Sequence, residues 1–70
     1  MDYEGLNQVI ETSGLKKSYI AEQLGLSERT FFSRVKGETQ FKLDEAISLC
    51  EILRMTKGQR ERIFFARKVK

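Results

Sequence analysis

Residues Lys17 to Gly37 read KSYIAEQLGLSERTFFSRVKG, and the fold of the whole chain turns on this stretch. Ile20, Ala21 and Leu24 fall at i, i+1 and i+4, one face of a helix. Gly25 follows where a helix needs a left-handed exit, which a residue without Cβ reaches cheaply. Leu26 returns to the core side, and the Ser27 hydroxyl can cap a second helix. That helix carries Phe31 and Val35 inward at i and i+4, and Gly37 can close it as Gly25 closes the first. Two short helices around a tight turn are predicted.

Ala21 is small where two steeply crossing helices bring their backbones together. Two helices joined by a short turn containing Gly make a helix-turn-helix, whose second helix can enter a DNA major groove. An ordinary helical hairpin in a small bundle shares the outline, but the Ala, Gly and Ser punctuation agrees with the DNA-binding motif. On the second helix, expected from Glu28 to about Lys36, the inward Phe31 and Val35 turn Arg29, Ser33 and Lys36 outward together. Glu28 lies in its first turn. Phe32 sits at the edge of the buried face and is expected to complete the core. Its alternative role is contact with thymine methyl groups.

The flanking segments are also helical in pattern. Residues 3–13 place Tyr3, Leu6, Val9 and Ile10 on one side and end at Ser13-Gly14, after which Leu15 is expected to pack. Lys16-Lys17 opens the second helix where the helix dipole disfavours cations, a cost that a bound phosphate would reverse. After the polar loop Gly37–Gln40, anchored by Phe41, a fourth helix is predicted from about Leu43 to Arg54. Its stripe is Ala46, Leu49, Cys50 and Leu53, which makes Cys50 a small buried hydrophobe. Lys42 stands at its start, again in place of a capping Ser or Thr. Thr56-Lys57-Gly58-Gln59 fits a capping box opening a last helix over residues 57–68. Adjacent Phe64 and Phe65 diverge by about 100° on that helix, so one fills the core. Phe65 is expected outside, with Val69 extending an association surface.

Composition narrows the function classes. The chain has 70 residues, one cysteine, no histidine and no proline, which favours one all-α domain without an internal disulfide. No metal, cofactor or catalytic residue is expected, since the commonest base and metal ligand is missing. No apolar run reaches membrane-spanning length and Asp2 and Glu4 contradict a secretory signal, so a cytoplasmic location is expected. The net charge of +3 is unevenly spread: −3 over residues 1–15, +3 over 16–42, −2 over 43–55 and +5 over 56–70. Positive charge on the helix-turn-helix and the tail is the distribution expected of a face that meets phosphate.

The run IAEQLGLSERTFFSRVKG, with the later FKLDEAISLCEIL and ERIFFARKV, resembles the small Cro- and repressor-like helix-turn-helix proteins of temperate phages in Gram-positive bacteria. These belong to the broad lambda-repressor-like superfamily, matched at Ile20, Ala21, Leu24, Gly25, Leu26, Ser27 and Phe31. The resemblance spans Leu6 to Val69. It implies a compact five-helix domain over residues 1–70, a helix-turn-helix at 17–37, and operator binding on double-stranded DNA, usually as a homodimer. It further implies base contacts from Glu28, Arg29 and Ser33, and phosphate contacts from Lys17, Lys36, Gln40 and Lys42. The chain departs from the pattern at Lys16, where a capping Thr or Ser is usual, and at Arg34, where the superfamily carries an apolar residue. A competing expectation is a protein-interaction modulator that binds a phage repressor, motivated by the IFF cluster and the modest charge of the central face.

Overall fold

Phe31, Leu6, Ile10, Ile20, Leu49 and Ile63 are the largest side chains with essentially no exposed surface, and each helix among the described residues supplies at least one of them. The computed structural model describes residues 1–65. Its helices are α1 (Tyr3–Ser13), α2 (Lys17–Leu24), α3 (Glu28–Lys36), α4 (Leu43–Ile52) and α5 (Lys57–Phe64). The fold is all-α, with five helices and no strand among the described residues. None of these helices is long and apolar enough to cross a membrane.

The local signals set most boundaries. Ser27 Oγ accepts the Thr30 N–H at 3.1 Å, capping α3. Thr56 and Gln59 form a reciprocal capping box, with bonds of 3.0 and 3.1 Å between their side chains and each other's amides. Gly25 and Gly37 leave their helices with φ of 73° and 85°. At Gly37 the space is also taken: a Cβ would stand 3.0 Å from the Tyr3 ring. The Asn7 amide ties α1 to the end of α3, donating to the Tyr3 carbonyl at 2.8 Å and the Val35 carbonyl at 3.1 Å. The Asp2 N–H donates to the Ile63 carbonyl at 2.8 Å, closing α5 onto the start of α1.

Three expectations need correction. Helix α4 ends at Ile52, not Arg54, because Arg54 itself takes the left-handed exit at φ 53°. The Arg54 N–H bonds the Glu51 carbonyl at 3.2 Å and the Met55 N–H bonds the Cys50 carbonyl at 3.0 Å, a Schellman closure made without glycine. Met55 swings inward as a result and is buried. Helix α5 ends at Phe64, short of the expected residue 68, because Phe65 leaves the helical conformation at φ −117° and ψ 23° with its side chain 65% exposed. Residues 66–68 lie outside the described residues. Leu15, expected to pack, is 36% exposed, because the turn after Gly14 carries it along the rim of the core.

A side chain held in the left-handed region costs roughly 1–2 kcal/mol, partly offset by the greater unfolded freedom of glycine. Arg54→Gly should therefore raise stability by about 0.5–1 kcal/mol. The check is the urea midpoint at unchanged m-value; an unchanged or lower midpoint would show that Arg54 is not strained.

Candidate functional site

Helix α3 is fixed at both ends and along one flank. Ser27 sets its start and Gly37 its end, while Phe31 and Val35 seat it in the core. On the flank toward α4, Arg34 Nε meets Glu45 Oε1 at 2.8 Å and Nη2 meets Oε2 at 3.3 Å. Arg34 Nη1 also donates to Thr39 Oγ1 at 3.0 Å, so the same guanidinium pins the loop. Glu45 Oε1 accepts the Lys42 N–H at 3.0 Å as well. One carboxylate thus serves as ion-pair partner of α3 and as the cap of the α4 start. The lysine at that position supplies no acceptor of its own, since an ammonium only donates.

The side chains expected at the site lie as follows. Arg29 and Lys36 are exposed on the outer face of α3, and Glu28 is exposed in its first turn. Ser33 is half-buried and its hydroxyl donates to Glu38 Oε1 at 3.1 Å, leaving its oxygen lone pairs for other partners. Glu28, Arg29, Phe32, Ser33, Lys36 and Glu38 line one shallow groove of about 480 Å³. Gln40 and Lys42 are exposed in and just after the loop that follows α3. Lys17, at the start of α2, is half-buried, and Lys16 offers that helix start no side-chain acceptor.

Phe32 does not complete the core. It is 38% exposed, its ring tilted against Phe31 with centroids 6.4 Å apart and the Lys17 ammonium 5.9 Å above it. The reason is angular. One residue beyond Phe31 a helix has turned by about 100°, so both rings cannot enter the same core. Arg29, Phe32 and Lys36, at i, i+3 and i+7, form the exposed stripe of α3.

A second surface lies between α4 and α5. Leu43, Ile47 and Phe65 are 74%, 51% and 65% exposed, and with Ala46, Cys50 and Phe64 they border an apolar groove of about 240 Å³ beside Arg60. Phe64 is the inward ring of the adjacent pair, packing edge-on against Phe41 at 6.2 Å. Val69, expected beside Phe65, lies outside the described residues. Burial pushes the Cys50 thiol above its ordinary value, which suits a packing role. The exposed Leu43 and Ile47 were not foreseeable from the stripe that α4 buries, although both are large and apolar in an acidic helix.

Glu45 was missed for a local reason. Glu three residues after a helix cap is half of a capping-box signature, but Lys42 at the cap position conceals it. None of the family models, curated proteins or solved structures compared with the chain matches it.

Burial alone would raise the Glu45 carboxyl, but the Lys42 amide and the Arg34 guanidinium outweigh it and hold it below its ordinary 4.5. A depressed carboxyl stabilises the fold fully above the unfolded value, and the gain is lost as pH falls through the folded value. Glu45→Gln should cost about 1–3 kcal/mol at pH 7. The difference from the parent chain should shrink steadily below pH 4.5 in urea unfolding across a pH series. A difference constant with pH would mean that the ion pair contributes nothing to stability.

Proposed function

We propose that the chain is a sequence-specific DNA-binding regulator, a phage Cro-like repressor that lays α3 in the major groove of operator DNA. The observation that carries this reading is the outer face of α3. Arg29, Lys36 and Glu28 stand exposed on one helix whose roll is fixed by two buried side chains and a bidentate ion pair. Arg29 is the best base reader, because a guanidinium pairs bidentately with guanine O6 and N7. Glu28 accepts from cytosine N4, and Ser33 offers its oxygen to either base type. Lys17, Lys36, Gln40 and Lys42 meet phosphates and set affinity, while the base contacts set specificity.

Arg34 drops out of the electrostatic face, because Glu45 neutralises it. A single copy therefore brings few cations to the DNA, and binding as a homodimer supplies the rest. The α4–α5 groove is the association surface of this reading. Arg60 borders the α5 side of the groove, and α4 carries the exposed acids Asp44 and Glu51. A two-fold arrangement sets the acidic edge of each copy against the basic edge of the other. The same exposed apolar surface also supports the second reading, in which the chain binds and modulates a phage repressor.

The two positive charges of the central motif separate the roles. Arg29→Ala should cost about 1–3 kcal/mol on the preferred site and relax preference at one base pair. Lys17→Ala should weaken preferred and random DNA alike and lower the salt slope by about one unit. Both are read from binding isotherms across a salt series on duplexes selected from a random library. If neither variant alters DNA binding, the protein-modulator reading takes precedence.

Ile47→Asp should leave helicity unchanged and shift sedimentation equilibrium toward the monomer by at least about ten-fold in Kd, roughly the cost of burying a charge in an apolar interface. A parent chain monomeric both alone and on DNA would remove the homodimer from the proposal.

A further inference from the structure

Phe32 is the one aromatic on the exposed stripe of α3, flanked by Arg29 and Lys36. Isolated exposed apolar residues are common and call for no explanation. Phe32 differs in its position. It forms the ridge between two grooves, one lined by Glu28, Arg29 and Ser33, the other by Tyr3, Asn7 and Lys17, with Lys36 bordering both. Its ring is also held, by Phe31 on one side and by the Lys17 ammonium above it, so little freedom is lost if it is pressed against a surface.

Resting on the DNA-binding proposal, we infer that Phe32 is a specificity-determining residue that selects thymine through its 5-methyl group. A helix seated in a major groove about 12 Å wide brings its exposed ridge close to the base edges. Those edges present hydrogen-bond donors and acceptors, and the thymine methyl is the one apolar group that projects from them, cytosine offering only a C5–H at that place. A phenyl ring offers no conventional hydrogen bond. Set against guanine, cytosine or adenine edges it strips water from polar atoms without replacing it, and set against thymine it covers a methyl group. Phe32 therefore rejects three edges and accepts one.

The helix also fixes where that thymine lies. Arg29 and Phe32 are three residues apart, an axial rise of about 4.5 Å, against about 3.4 Å per base pair. The selected thymine falls within one or two base pairs of the pair read by Arg29. Lys17, over the ring, meets the backbone beside the same position, so the aromatic reads the base while its cationic neighbour reads the phosphate.

The experiment selects sites from a random duplex library with the parent chain, then replaces each thymine in the enriched site by deoxyuridine, which lacks only the methyl group. One replacement per half-site should weaken binding by about four-fold, the value of one buried methyl group. It should lie within two base pairs of the position at which Arg29→Ala loses preference. Phe32→Ala should bind the thymine and deoxyuridine duplexes equally, and Phe32→Leu, which keeps an apolar side chain of similar reach, should retain the difference. Circular dichroism on both variants separates lost folding from lost recognition. Enriched sites with no deoxyuridine effect, or an effect unchanged in Phe32→Ala, would overturn the inference and leave the DNA-binding proposal standing. Failure of the library to enrich at all would remove both.

Discussion

A guanidinium held between two helices at the rim of the core is the constraint on which the outer face of α3 depends. Nine residues make only two and a half turns, and α3 buries two of its side chains. Two contacts along one line leave a short helix free to roll about that line. Arg34 on the flank, bound to both oxygens of Glu45, removes the freedom, and the Asn7 bond to the Val35 carbonyl holds the far end. With the roll fixed, the directions of Arg29, Phe32 and Lys36 are fixed as well. The pair is nearly dry, with side chains 13% and 9% exposed, so desolvation offsets much of its attraction. Its main effect is on orientation more than on net stability, and every oxygen and nitrogen it buries is matched by a partner.

That arrangement separates two uses of positive charge on one helix. Arg34 faces inward and is neutralised, whereas Arg29 and Lys36 face outward and meet no carboxylate within ion-pair distance among the described residues. Counting arginines and lysines by segment cannot make this distinction. The central segment keeps its formal +3, yet one of its cations is bound by an acid from the next helix. The charge that reaches solvent is set by the fold.

How far the chain explains itself depends on whether a signal is local. The boundaries of α2 and α3 were legible because Gly25, Ser27 and Gly37 each act within a few residues of their own position. The Thr56–Gln59 box was legible for the same reason. The end of α4 was not, since the left-handed residue there is Arg54, a residue type with no preference for that conformation. The Arg34–Glu45 pair spans eleven positions and a loop, and no periodicity connects its members. Phe32 was placed on the wrong side of the boundary because helical spacing says which residues share a face, not where that face meets solvent. Of the set expected outward on α3, Arg29 and Lys36 are exposed and Ser33 is half-buried, whereas the exposed apolar edge of α4 had no local signal.

The bond from the Asp2 amide to the Ile63 carbonyl joins residues at opposite ends of the described chain. Synthesis on the ribosome proceeds from the amino terminus, so α1 emerges long before the helix that closes over it. At about 5–20 residues per second, Leu6 and Ile10 wait several seconds for Ile63 to arrive. During that interval α2 and α3 can form their turn and α3 can pack on α1, but the part of α1 that α5 covers stays open. The nascent chain therefore carries an incomplete core until Ile63 has emerged, and α5 acts as the latch whose arrival ends that exposure.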